Sequence, residues 1–122
     1  MKYVLMFTST PELDATVPPE RSEADLERIL QWHRDHAAQI LDGGAALHDA
    51  ATATTVRAGD AAPVVVDGPF SEAKEVIGGF TLIDVADLDA AIAMAKTWPS
   101  LELPGNAVEI RPMFDDAELF GS

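Results

Sequence analysis

The chain has 122 residues, a length typical of one compact domain. It carries 21 Asp and Glu against 8 Lys and Arg, a formal net charge of −13, which argues against nucleic acid and anionic membranes as partners because both attract clustered basic side chains. Cysteine is absent, which excludes disulfides, cysteine nucleophiles and thiolate metal sites. No apolar run reaches the length of a membrane span or a signal-peptide core, so we expect one cytoplasmic domain over residues 1–122.

The N-terminal third of the chain predicts a strand followed by a long helix. A strand is predicted at residues 2–8, because residues 3–7 are all apolar without alternation, which indicates a strand covered on both faces. After a proline-containing loop, a helix is predicted to begin at Ser22, which forms a Ser-x-x-Asp cap with Asp25, and to end at Gly43-Gly44. His33 lies on the apolar stripe of this helix, so its imidazole should face the sheet. The apolar members of the stripe are Leu26, Ile29, Leu30, Ala37, Ile40 and Leu41.

The rest of the chain predicts four more strands and a second helix. Residues 52–57 and 63–66 are expected to pair as a hairpin, a helical turn is expected at 72–76, and further strands are expected at 80–85 and 107–111. Asp87 is expected to cap the second helix, and Pro99 to stop it. The acidic tail from about residue 114 is expected to be poorly ordered.

This order of elements is β-α-β-β-α-β with an extra hairpin strand. It predicts an α+β, ferredoxin-like fold in which both helices cover one face of an antiparallel sheet. The other face would then be bare, although residues 3–7 and 80–85 are apolar on both sides. We expect a second copy of the chain to cover it and so to form a homodimer with a two-fold axis.

The second half of the chain contains a run of motifs that resembles the YCII-related family in its DGPF branch. The similarity extends over nearly the whole chain, and it rests on Asp67-Gly68-Pro69-Phe70, Ser71-Glu72-Ala73-Lys74-Glu75 and Gly78-Gly79-Phe80. The resemblance implies a dimeric α+β barrel of ferredoxin-like protomers, with a small pocket between helix and sheet in each. Residues 45–53 form a shorter segment than the family pattern, which leaves the pocket wall from this region undetermined.

The resemblance also implies a range of functions. Some relatives in the wider superfamily are lyases, isomerases or small monooxygenases that act on ring compounds. The family is associated with extracytoplasmic-function sigma factors in bacteria. In its shorter branch, a helix His and a loop or strand Asp are proposed as a catalytic pair, and His33 and Asp67 are the corresponding candidates here.

His33 and Asp67 are therefore the candidate catalytic residues. The pKa of an unperturbed imidazole, about 6.5, suits proton transfer, although a core histidine held by one hydrogen bond is the alternative for His33. Asp67 is either a turn residue or an orienting carboxylate. Because Pro69 has no N–H, we expect Asp67 to accept from the N–H of Phe70 and to lie within reach of His33 in its own protomer or in its partner.

Four further residues are candidates for binding a substrate: His36, Arg57, Phe70 and Arg111. The two arginines offer two-pronged binding of an anionic group or pair with acids, and Phe70 is expected to fill the core below the turn. His36 forms an H-x-x-H pair with His33, but no third ligand stands at a diagnostic spacing, so neither a metal nor another cofactor is expected. The alternative for His36 is an exposed polar residue beside Trp32.

Two classes of function remain open on the sequence. The first is a cofactor-independent enzyme with a lyase- or isomerase-like step on a small, for example cyclic, molecule, in which His33 moves a proton and Asp67 orients it. The alternative is a non-catalytic dimeric module that binds a small ligand or a protein such as a sigma factor, whose basic segments would suit the acidic surface. Plain structural dimerisation is a third reading.

Overall fold

The computed structural model describes residues 1–70 and 75–121. Short 3-10 helices occupy Ala50–Thr52 and Pro99–Glu102. The strands and α-helices in chain order are β1 (Lys2–Ser9), α1 (Pro11–Asp14), α2 (Pro19–Asp35), β2 (Ile40–Ala46), β3 (Thr54–Arg57), β4 (Val64–Asp67), β5 (Val76–Asp84), α3 (Leu88–Ala95), β6 (Ala107–Pro112) and α4 (Asp116–Phe120).

The strands form an antiparallel four-stranded sheet in the order β2-β5-β1-β6 and a separate hairpin of β3 and β4. Placing the first and third sheet strands at the centre is the arrangement of the ferredoxin-like fold. The α+β, ferredoxin-like prediction is confirmed. The predicted hairpin is also confirmed, since Thr54 pairs with Asp67 and Arg57 with Val64.

The core lies on one face of the sheet, beneath α2 and α3. Tyr3, Leu5 and Phe7 are buried in alternation along β1, as expected when every second side chain points to the covered face. Phe7 stacks on Trp98 with ring centroids 3.7 Å apart. The other buried apolar members of the cluster are Trp32, Ile83, Ala91 and Met94.

The predicted limits of the first long helix are wrong at both ends. The helix begins at Pro19, where the fixed φ of proline suits the first turn, and Ser22 lies inside it. The helix ends at Asp35, and the chain then turns and enters β2 at Ile40, which packs against the core. Gly43 and Gly44 are therefore strand residues and not a helix end. Of the predicted stripe, Leu26 and Leu30 are half exposed.

Of three other predicted elements, one is confirmed, one is wrong and one lies mostly outside the described residues. Asp87 caps α3 by accepting a hydrogen bond from the N–H of Ala90 at 2.9 Å, as predicted. The tail expected to be poorly ordered instead forms α4, with a capping box between Asp115 and Glu118 and a left-handed Gly121 at its end. The helical turn predicted at 72–76 lies mostly outside the described residues, and Val76 belongs to β5.

An ion-pair network ties α2 to the 3-10 helix at Pro99–Glu102. Arg28 binds both carboxylate oxygens of Glu102 at 2.8 Å, and Arg21 binds the same carboxylate at 3.0 Å. The hydrogen bond from Arg28, followed by the charge of Arg28, lowers the pKa of Glu102 below its ordinary value. The network therefore links the stability of this junction to pH.

We expect Glu102→Gln to lower stability slightly at pH 7, because exposed ion pairs contribute little. A depressed pKa in the folded state gives a contribution that is complete above the unfolded pKa of about 4.3 and is lost as pH falls through the folded pKa. The difference in Tm between variant and wild type should therefore vanish in acid. Thermal melts from pH 7 to 2.5 test this, with the exposed Glu27→Gln on α2 as the control. A constant difference across this range would contradict the prediction.

Candidate functional site

A cavity of about 350 Å³ lies between α2 and the covered face of the sheet. Its apolar wall includes Phe7, Leu26, Ile29 and Trp98. Glycines supply much of the opposite wall: Gly43, Gly44, Gly78 and Gly79. There is room for a Cβ at Gly43 and Gly78, whereas Gly44 and Gly79 allow the close approach of β2 and β5. The size and the mixture of apolar wall with a few polar groups are typical of a small-molecule site.

His33 lies on the wall of this cavity, as its place on α2 predicted. Its Nδ1 is 2.9 Å from the carbonyl oxygen of Ile29 and its Nε2 is 3.2 Å from the hydroxyl of Thr81. The imidazole packs against the rings of Trp32 and Trp98, with centroids 5.1 and 6.1 Å away. Each ring nitrogen of His33 therefore has a hydrogen-bond partner, and the two indole rings hold the imidazole in one orientation.

The hydrogen-bond partners of His33 show where the hydrogens of His33 and Thr81 lie. A carbonyl only accepts, so Nδ1 of His33 carries a hydrogen. Thr81 is fully buried, and its hydroxyl is 3.2 Å from Nε2 of His33 and 3.2 Å from the carbonyl oxygen of Gly43. It has one hydrogen, which goes to Nε2 when the imidazole is neutral and to Gly43 when Nε2 is protonated. By rotating, the Thr81 hydroxyl is thus a hydrogen-bond donor to the neutral imidazole and a hydrogen-bond acceptor from the protonated one.

Asp67 lies at the end of β4, exposed, and opposite Thr54. Within residues 1–70 and 75–121 its carboxylate makes no hydrogen bond to His33 or to Phe70, and it does not line the His33 cavity. The turn after it is held at the start of β3 instead: the N–H of Gly68 donates to the carbonyl oxygen of Ala53, the residue before β3, at 2.8 Å, and the hydroxyl of Thr55 donates to the carbonyl oxygen of Gly68 at 2.7 Å. The structure does not bring the two candidate catalytic residues together within the protomer.

Arg57 and Phe70 contact each other beside this turn. Arg57 donates to the carbonyl oxygen of Phe70 at 2.7 Å, and its guanidinium lies 5.2 Å from the centre of the Phe70 ring. Phe70 is 74% exposed, so the expectation that it fills the core is wrong. The hairpin is a sheet of its own, and all four residues of β4, which leads into the turn, are exposed.

His36 and Arg111 also lie away from the described walls of the cavity. His36 ends α2, where its Nδ1 is 2.8 Å from the carbonyl oxygen of Trp32 and its ring lies against the indole. Arg111 is exposed on β6, pairs with Val4 of β1, and has Glu109 at 4.0 Å. Of the six candidate residues, only His33 is placed in the cavity.

The sequence reasoning missed several residues of the cavity. Thr81 is buried in the strand predicted at 80–85, and a polar residue inside an apolar run was the available signal. Trp98, which precedes the proline predicted to stop the second helix, was not among the candidate residues. Ala45 and Ala46, from the segment shorter than the family pattern, complete the wall beside the glycines.

No three His, Asp or Glu side chains of residues 1–70 and 75–121 come together as metal ligands. None of the helices in those ranges combines the length and the apolar character needed to cross a membrane.

Comparison with known proteins assigns the chain to a family. It is 38% identical over 105 residues to an uncharacterized protein of Rhizobium meliloti (strain 1021), a match that covers 82% of this chain and 85% of the relative. The YCII-related domain matches residues 1–115, which include every strand of the sheet, the hairpin and the His33 cavity. The chain belongs to the YCII-related domain family.

Proposed function

We propose that the chain is a cofactor-independent enzyme in which His33 moves a proton to and from a small molecule bound in the cavity, in a lyase- or isomerase-like step. The observation that carries the proposal is the hydrogen-bonded series Ile29–His33–Thr81–Gly43. It fixes the tautomer of the imidazole and leaves Nε2 as the basic nitrogen. A general base needs this combination of fixed orientation and access to the substrate.

The proposed proton transfer follows from the positions of the hydrogens on His33 and Thr81. The Thr81 hydroxyl, which lies on the cavity wall, donates its hydrogen to Nε2 of the neutral imidazole. As the Thr81 oxygen takes a proton from a carbon or oxygen of the substrate, its own hydrogen passes to Nε2, and the new hydroxyl hydrogen turns to Gly43. The resulting imidazolium donates from Nε2 to the Thr81 oxygen and from Nδ1 to Ile29, so every hydrogen of the cation has a partner. Return of the proton to another atom gives an isomer, and loss of a leaving group gives an elimination product. No oxidant or external reductant is needed.

A deuterium-incorporation experiment tests the proposed activity. The wild-type protein is incubated in D2O with a panel of small cyclic ketones and enones, whose acidic C–H groups suit an imidazole base, and exchange is followed by NMR. We expect exchange into at least one compound well above the rate in buffer with an equal concentration of free imidazole. Binding without exchange across the panel would contradict the enzyme proposal and favour a ligand-binding module.

Both ring nitrogens of His33 have partners in their own protomer, so in this proposal Asp67 acts across a homodimer and orients a hydroxyl of the substrate. Exposed apolar side chains crowd the hairpin that carries it, and an isolated two-stranded hairpin is marginally stable in water. A surface of this kind is typical of a protein contact. The open face of the sheet, with Val4, Met6 and Leu82 half-buried, supplies the larger contact in this proposal. The exposed hairpin residues are Val56, Val64, Val65, Val66 and Phe70.

We expect sedimentation or light scattering to give the mass of a dimer at micromolar concentration. Leu82→Lys places a charge on the open face of the sheet and should yield folded monomers, because burying an unpaired ammonium in an apolar interface is costly. Leu30→Lys on the half-exposed side of α2 is the matched control and should remain dimeric. A wild-type monomer, or a Leu82→Lys variant that is still a dimer, would contradict this assembly.

The alternative is a non-catalytic module that binds a small ligand or a basic protein segment. The net charge of −13 favours a basic partner, such as a segment of an extracytoplasmic-function sigma factor, through long-range attraction. Such binding should weaken steeply with salt. Binding of a neutral small molecule in the cavity should be nearly independent of salt, so a salt titration separates the two candidates.

A further inference from the structure

A second cavity of about 350 Å³ adjoins the His33 cavity and has no part in the proton transfer proposed above. The two cavities share wall residues on α2, β1 and the loop before β6: Ser9, Leu26, Ile29, Ser100 and Asn106. The two cavities are therefore neighbours that share part of their walls. His33 and Thr81 are not among the described residues that line the second cavity.

Two side chains on the wall of the second cavity carry a buried oxygen with no hydrogen-bond partner among the described residues. They are Asp25, through Oδ2, and Asn106, through Oδ1. A buried polar atom without a partner costs about 1–3 kcal/mol, and more when it is charged. Such atoms in a native protein call for an explanation.

The contacts of each side chain show why one oxygen stays free. The residue Asp25 is 5% exposed, and both of its arginine contacts fall on Oδ1, with Arg21 at 3.1 Å and Arg28 at 3.6 Å. Asn106 uses its amide nitrogen to donate to the carbonyl oxygen of Ser100 at 2.9 Å. In each side chain, one polar atom is fixed by an ion pair or a hydrogen bond. The oxygen without a partner is therefore an acceptor in a fixed position.

The charge of this region decides which kind of donor fits. Arg21 and Arg28 bind both Asp25 and Glu102, so two guanidinium groups balance these two carboxylates. Asp14 is a further carboxylate on the wall of the second cavity, but it is exposed, so solvent and salt screen its charge. A cationic ligand would gain little net attraction there and would lose its hydration. A neutral hydroxyl or N–H group loses less on leaving water and satisfies either acceptor.

From these observations we infer that the ligand of this protein is a neutral amphipathic molecule. Its apolar, ring-sized part lies against Phe7 and Trp98 in the first cavity, and a hydroxyl or N–H group reaches the second cavity to donate to Asp25 or Asn106. The inference rests on the proposed function in one respect: it gives the substrate class for the His33 reaction. The donor subsite itself does not depend on catalysis.

Three probes of equal size test the subsite: 2-phenylethanol, which donates a hydrogen bond, benzyl methyl ether, which only accepts one, and propylbenzene, which does neither. Binding to the full chain is measured by NMR titration. We expect the alcohol to bind about tenfold more tightly than either of the others, as one satisfied hydrogen bond predicts. Equal affinities for the alcohol and propylbenzene would overturn the inference and indicate that water or packing serves the two oxygens. An ether as tight as the alcohol would overturn the assignment of the two atoms as acceptors.

Asn106→Leu removes one acceptor at similar volume and should reduce the preference for the alcohol. His33→Gln leaves both acceptors in place and should keep it. The wild-type comparison alone decides the inference if Asn106→Leu does not fold. If the protein prefers the alcohol but catalyses no deuterium exchange, the subsite is supported and the enzyme proposal is contradicted. If it catalyses exchange but does not prefer the alcohol, the enzyme proposal is supported and the subsite is contradicted.

Discussion

Replacing Gly44 by alanine is expected to destabilise the protein by about 3 kcal/mol, because it adds backbone strain and a steric clash together. Gly44 has φ +70, in the left-handed region that side chains rarely adopt. A Cβ there would overlap the carbonyl oxygen of Phe80 and lie 2.7 Å from its carbonyl carbon. Since both are backbone atoms of the neighbouring strand β5, rotation of a side chain does not relieve the overlap. Relief would require β2 to move away from β5.

Gly43→Ala is the matched control for this prediction. It lies one residue earlier on β2, has no positive φ, and a Cβ there would meet no atom within 4 Å. We expect its free energy of unfolding to change by less than about 1 kcal/mol. Urea denaturation of both variants makes the comparison, and equal stability would contradict the close approach of β2 to β5.

The same glycine pair shows where sequence reasoning fails. Gly-Gly after an apolar helical stripe is a common helix end, and glycine is depleted in strands. Locally, nothing in residues 36–46 identifies a strand. The deciding contacts are distant in sequence: Ile40 pairs with Ile83 and Ala45 with Phe80. Tertiary pairing overrides local propensity here.

The predictions that were confirmed rest on local signals. Asp87 caps α3 with its own side chain, and the hairpin follows from two β-rich runs around a turn. The apolar run near the start of the chain indicated a strand, and β1 is that strand. Together with the order of elements, these signals were enough to give the ferredoxin-like fold.

The site was predictable only in part, for a related reason. Helical spacing directed His33 toward the sheet, and this prediction holds because residues 26–33 are helical as expected. The partner of its Nε2 comes from elsewhere in the chain, since Thr81 is 48 positions away on β5. Asp67 was singled out by its turn motif, and a turn motif gives no information on which distant residue the carboxylate will meet.

The largest expected effect on activity is that of His33→Gln, which should lower deuterium exchange by at least about a hundredfold, as loss of a general base does. Glutamine is close to histidine in size and is able to hydrogen-bond, so packing against Trp32 and Trp98 should largely survive, but its amide does not take up a proton near neutral pH. His36→Gln is the matched control, because it removes the same type of side chain from the same end of the helix, outside the described cavity wall. It should retain wild-type exchange. A large loss of exchange in both variants, or in neither, would show that the imidazole of His33 is not the base. Thermal melts of each variant separate a loss of catalysis from a loss of folding.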